Sequence, residues 1–177
     1  MKYFLMIMVA ILSFNASAED RFRLSVYQAP IVEFSYDDED VELEDQSATS
    51  IRLTGFRNTR LGGLSNYVEF TTLDDKLAGS PSQKVEYHSL MFGLGLDKIT
   101  NTSQEHIDYY FNAGIGLGIA TLDFDGSETN LIGDLSAEVG LLFFDKLSVG
   151  VGAKYQQLFS SEKESFLIGN VSMTYWF

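Results

Sequence analysis

From Phe22 to the end of the chain, apolar and polar residues alternate with period two, and the runs are separated by polar clusters. That period belongs to a strand with one apolar face, and no sustained helical period competes with it. Eight segments emerge, at roughly 21–36, 50–57, 66–73, 84–96, 105–122, 131–143, 147–159 and 166–177. The second can also be started near Val41, which makes the first pair a long hairpin with a short tip. In the fifth, Tyr109, Phe111, Ile115, Leu117 and Ile119 share one side, against Asp108, Asn112, Gly114, Gly116 and Gly118. The seventh sets Val149, Val151 and Tyr155 against Ser148, Gly150 and Lys154, and the eighth sets Val171, Met173, Tyr175 and Phe177 against Asn170, Ser172 and Thr174.

A soluble sandwich buries the apolar side of such strands, whereas a membrane barrel turns it to lipid and keeps the polar side for its lumen. Three features favour the barrel. Most strands reach the length of about 10 residues that a tilted crossing needs. Aromatics gather near strand ends, with Phe22, Phe143, Phe144, Tyr175 and Phe177 at one end and Phe34, Tyr36, Phe70, Phe124, Phe159 and Phe166 at the other, as two interfacial girdles would require. The chain also stops on Phe177 inside a strand, which a closed barrel can pair with its first strand.

The first eighteen residues break the pattern. Lys2 precedes the apolar run Tyr3 to Phe14, and Asn15-Ala16-Ser17-Ala18 supplies small residues. This is the form of a secretory signal peptide cleaved after Ala18, and the run is too short to span a bilayer as a helix. The expected organisation is a signal peptide at 1–18 and one β-barrel domain at 19–177.

Composition narrows the function classes. The net charge of −13 argues against a nucleic-acid partner. With no cysteine there is no disulfide, thiolate metal site or cysteine nucleophile. The charge is also polarised. An even strand count puts both termini on one side, so the connections at about 37–49, 74–83, 123–130 and 160–165 lie on the other. These hold fourteen of the carboxylates, with only Lys76 and Lys163 as cations. The densest run is Asp37, Asp38, Glu39, Asp40, Glu42, Glu44 and Asp45, which is expected to be solvated and mobile.

With its signal peptide, eight strands and closing Gly169-Asn-Val-Ser-Met-Thr-Tyr175-Trp176-Phe177, the chain resembles the small outer-membrane β-barrels of Gram-negative bacteria, the OmpX-like barrels and the OmpA transmembrane domain. The resemblance implies an all-β, eight-stranded antiparallel up-and-down barrel in the bacterial outer membrane. It implies that Phe177, with Tyr175, Met173 and Val171 before it, is the signal read by the barrel-assembly machinery. The implied partners are that machinery and outer-membrane lipid with lipopolysaccharide, around a monomer. Divalent cations are a candidate ligand of the acidic run, because lipopolysaccharide phosphates are themselves bridged by such ions. No resident cofactor is expected.

Eight strands enclose a lumen that side chains can fill. The inward candidates are Arg23, Tyr27, Glu33, Arg52, Glu69, Asp108, Tyr110, Asn112, Asp134, Glu138, Lys154 and Gln156. Unpaired buried charge is costly, so cations and carboxylates should pair across the lumen. Gly93, Gly95, Gly114, Gly116, Gly118, Gly140, Gly150 and Gly152 are expected to leave room for bulky Arg and Tyr.

Catalytic signals are thin. His88-Ser89 is the one adjacent pair suggesting a nucleophile and base, but strand neighbours point to opposite faces. Some relatives in the resembled group are lipid A deacylases with a His-x-Ser-Asn motif, which is missing here. Asp123-Phe-Asp125-Gly126-Ser-Glu128 departs from the EF-hand template, since Glu128 stands where glycine is required. The expectation is a non-enzymatic barrel serving envelope integrity or surface interaction. An adhesin-like module and a lipid A-modifying enzyme are the alternatives.

Overall fold

In the computed structural model the alternating segments become strands, and the structure describes residues 20–37, 39–57, 62–78, 80–101, 106–124, 126–160 and 163–177. The strands are β1 (Asp20–Tyr36), β2 (Glu39–Val41), β3 (Ala48–Arg57), β4 (Gly62–Leu77), β5 (Ser80–Asn101), β6 (Ile107–Asp123), β7 (Ser127–Phe143), β8 (Leu147–Phe159) and β9 (Glu164–Trp176). Each long strand pairs antiparallel with its neighbour, and β1 pairs with β9, so the sheet closes on itself. The final peptide continues the seam, where Phe177 N–H donates to Phe22 O at 2.8 Å. Closure gives β1 and β9 a partner at the seam, which a bilayer demands because it offers backbone groups none. The predicted signal segment lies outside the described residues.

Eight strands form the wall as expected, and the three-residue β2 is added to them. It folds back on the end of β1, with Phe34 opposite Val41. The following stretch reaches β4 through a bridge between Leu43 and Leu77. The segment 39–43 thus carries the wall outward where β3 has ended. The hairpins are also taller than the sequence pattern indicated. β4 runs to Leu77 and β5 starts at Ser80, so most of the expected 74–83 connection is strand.

Burial is inverted relative to a soluble protein. Lys154 is 2% exposed, while Leu94, Ile115 and Leu117 are between 63% and 66% exposed. Burying charge and exposing large apolar side chains makes sense only where lipid is the outer solvent. Among the described residues no helix is long and apolar enough to cross a membrane.

One defect in the alternation changes the upper barrel. β1 pairs Gln28 with Val171 and then Ile31 with Gly169, so it carries an extra residue opposite Asn170. Pro30 sits in that bulge, where its missing N–H costs no ladder bond. Below it, Arg23, Ser25, Tyr27 and Ala29 point in; above it, Val32 and Phe34 do. Glu33, expected in the lumen, therefore faces out.

Candidate functional site

The lumen is filled by a charged plug. Arg52 and Glu69 are cross-strand partners on β3 and β4, and Arg52 Nε donates to Glu69 Oε2 at 2.5 Å. Lys154 reaches the same carboxylate from β8. Thr71 Oγ1 also donates to it at 3.0 Å. Arg52 lies 4.1 Å from the Tyr67 ring centroid and 5.3 Å from that of Tyr27, which spreads its charge over two π faces. Nearer the termini, Arg23 pairs with Asp97 at 2.5 Å, and Asn112 donates to the same oxygen at 3.0 Å.

Two carboxylates depart from the expected pairing. Glu138 accepts from the hydroxyls of Tyr110 and Ser172, the latter at 2.6 Å. Asp134 accepts from Tyr67 Oη at 2.7 Å. Among the described residues neither forms an ion pair. Both accept from hydroxyl donors, beside a cluster whose cations pair with Glu69. The internal cavity bounded by Arg52, Glu138, Lys154 and Asn170 measures about 10 Å³, room for one water molecule.

Five of the eight expected lumen glycines face a tyrosine, Gly93, Gly114 and Gly116 at Tyr67 and Gly140 and Gly150 at Tyr110, whereas Gly95, Gly118 and Gly152 abut Ser65, Met91 and Asn170. A Cβ at Gly93 would fall on the Tyr67 ring, and one at Gly150 on the Tyr110 hydroxyl. Gly114 and Gly116 open the same space from the next strand, where a Cβ would come within 3.1 and 2.8 Å of Tyr67 atoms. Two tyrosines thus cross the lumen because glycines face them.

Above the plug the inside turns apolar. Phe34 stacks on Phe166 at 4.7 Å, Tyr87 lies 4.5 Å from Phe166, and Phe124 meets Phe34 edge-on at 5.5 Å. Val32, Leu43, Leu73, Val85, Met91, Leu122 and Leu158 complete a buried cluster. This corrects the expectation of an outer lipid-facing girdle: Phe34 and Phe166 are buried inside, while Phe70 and Phe159 remain on the outside. The outer face changes sense as well. Gln28, Thr49, Thr72, His88, Thr121 and Thr129 form a continuous row of cross-strand neighbours. Beyond that row, β4, β5 and β6 present Asp74, Lys76, Lys84, Glu86 and Asp123 outward; before it, β5 and β6 present Leu90, Phe92, Leu94, Ile115, Leu117 and Ile119. The outer third is a water-type barrel standing on a lipid-type one.

The acidic run is part of this head and is tied down. Buried Asp75 accepts from the backbone N–H of Asp45 at 3.0 Å and of Gln46 at 2.7 Å. Glu44 N–H donates to Lys76 O, and Ala78 N–H to Glu42 O. Glu39 and Asp40 lie in β2, and Ser35 Oγ donates to Asp40. The expectation of a free, mobile loop is corrected accordingly. Asp38 lies outside the described residues, as do Asp125 and Glu162. Among the described residues no group of three or more metal-ligating side chains converges.

His88 and Ser89 separate as strand geometry requires. His88 faces out, bonded to Thr72 Oγ1 at 2.9 Å, and Ser89 is buried inside. His106 lies in the β5–β6 connection, stacked on Phe144. At the chain end Tyr175 and Phe177 face outward, edge to face at 5.0 Å, while Trp176 turns in and donates to Ser148 Oγ at 2.9 Å.

No protein-family model matches the chain, and no curated protein matches it in sequence. Solved structures do match in shape. Neisserial surface protein A superposes with a TM-score of 0.55 and 14% identity, covering 89% of this chain and 96% of its own. The N-terminal β-barrel domain of Pseudomonas aeruginosa OprF gives 0.51 and 10%, covering 89% and 97%. The outer membrane enzyme PagL gives 0.54 and 18%, covering 86% and 97%. With its closed eight-stranded wall, apolar exterior and filled lumen, the chain has the fold of the small outer-membrane β-barrels.

Proposed function

We propose that the protein is a non-enzymatic barrel of the bacterial outer membrane, delivered by cleavage near Ala18, which serves envelope integrity or surface interaction through its acidic outer end. The observation that carries this reading is the double closure of the lumen. The Arg52–Glu69–Lys154 cluster fills the middle and the Phe34–Phe166–Tyr87 cluster seals the mouth. A barrel so filled leaves its surfaces to do the work. Against an enzyme stands the placement of His88 and Ser89 on opposite faces of one strand. The assembly signal at Tyr175 and Phe177 fits the lipid-facing position of both rings.

The test is hydrophobic-dye uptake by a deletion strain, with and without added Mg²⁺. Raised uptake that Mg²⁺ suppresses supports an envelope role linked to cations at the acidic end. Uptake equal to wild type in both conditions sinks it. An adhesin-like reading is favoured by one observation: Asp75 holds the carboxylate-rich segment as a fixed surface. Loop-swapped barrels in a cell-adhesion assay separate that reading from the first, and mass spectrometry of lipid A from the deletion strain exposes any enzymatic role.

A further inference from the structure

The lipid-facing wall is not evenly convex. A partly enclosed groove of about 650 Å³ crosses it near the terminal end of the barrel. Its floor is made of short side chains, Val139, Val149 and Val151, beside the taller rings of Tyr109 and Phe111. The backbone thins there because Gly140 and Gly150 are cross-strand partners whose Cα positions face Tyr110 inside. The groove follows two adjacent rows of cross-strand neighbours, one from Lys98 to Val171 and one, nearer the termini, from Thr100 to Val149. Lys98 stands three residues from the end of β5, and Val171 five from the end of β9. The Lys98 end of the groove therefore stands nearer the terminal rim than the Val171 end.

Lys98 is exposed on the outside of the wall and forms no ion pair among the described residues. A lone ammonium on a lipid-facing strand extends toward the headgroups. Thr100 adds a hydroxyl beside it. An apolar trough of this size with one cation and one hydroxyl at its rim has the composition of a ligand site.

We propose that this groove seats one anionic phospholipid of the leaflet nearest the chain termini, with an acyl chain along the valine floor and the phosphate on Lys98. The occupant follows from charge and direction. The cation stands at the end nearer the terminal rim, and the trough runs from it away from that rim. The inference rests on the membrane-spanning reading but not on the role of the acidic end.

Native mass spectrometry of the full barrel, released from micelles doped with dipalmitoyl phosphatidylglycerol, phosphatidylcholine or palmitic acid, tests it. One phosphatidylglycerol should be retained in preference to both others. Lys98→Ala should weaken that retention about fivefold, the effect of one cation at an anionic lipid surface, and Lys98→Arg should restore it. Val149→Trp, which fills the floor, should abolish retention of every lipid. A heat-dependent gel shift in each variant confirms that the barrel has formed. Retention unchanged in Lys98→Ala, palmitic acid held as well as phosphatidylglycerol, or a second copy of the chain held in place of lipid would each overturn the proposal.

Discussion

At the scale of single residues, Glu69 carries the most weight. It satisfies two cations from two strands, and both are buried with it. Removing its charge leaves Arg52 and Lys154 buried together without the carboxylate that neutralises them, which costs about 3–5 kcal/mol. Glu69→Gln should lower the urea midpoint of the barrel folded in lipid vesicles accordingly. An unchanged midpoint would show that water or the hydroxyls of Ser50 and Thr71 screen the pair unaided. Packing makes a second prediction. Gly93→Ala pushes a methyl into the Tyr67 ring and should cost about 1–3 kcal/mol. In a Tyr67→Ser background the same change should cost almost nothing, and additive effects in that double-mutant cycle would contradict the glycine account. The buried ionic residues were legible because period two assigns a face to each of them. Their partners were less so: nothing local to Glu138 or Asp134 announces a tyrosine hydroxyl arriving from another strand.

At the scale of elements, the strands follow from the alternation, but one phase change was hidden. Pro30 displaces β1 by a residue, so reading straight through it turns Glu33 inward and Phe34 outward, the reverse of the structure. A proline inside an otherwise regular strand is the available signal for a bulge. Deleting Pro30 removes the extra residue, so Ala29 and Ile31 pair in unbroken register with Asn170 and Gly169, and Val32 and Phe34 should still face in. The variant should keep its heat-dependent gel mobility and resist protease added outside. Cleavage of the head in that variant would mean that the bulge does more than correct the phase of β1. The acidic segment was misjudged for a similar reason. The described carboxylates of the run are exposed as expected, but the segment is not free: Leu43 within it is buried and Asp75, distant in sequence, bonds its backbone. Long-range staples of this kind leave no periodic trace.

At the scale of the whole molecule, two barrels are stacked on one set of strands. The lower has lipid outside and charge inside; the upper has water outside and an apolar core inside. Both obey the same alternation, so the pattern alone identifies strands without saying which solvent each third of a strand meets. The distinction lies in which side chains change places along β5: Val85, Tyr87 and Met91 face in near the top, and Leu94 and Leu96 face out lower down. Aromatic residues near the outer strand ends suggested a girdle, but several of them are the filling of the head.

The chain has no cysteine, so single reporters can be placed without background. The most direct test compares Lys84→Cys above the polar row, Leu94→Cys below it and Met91→Cys inside, in intact cells exposed to a membrane-impermeant maleimide. Only Lys84→Cys should react, and a fluorophore at Leu94→Cys in vesicles should be quenched by nitroxide-labelled lipid. Labelling of Leu94→Cys or Met91→Cys as fast as Lys84→Cys would contradict a sealed head on a lipid-embedded barrel.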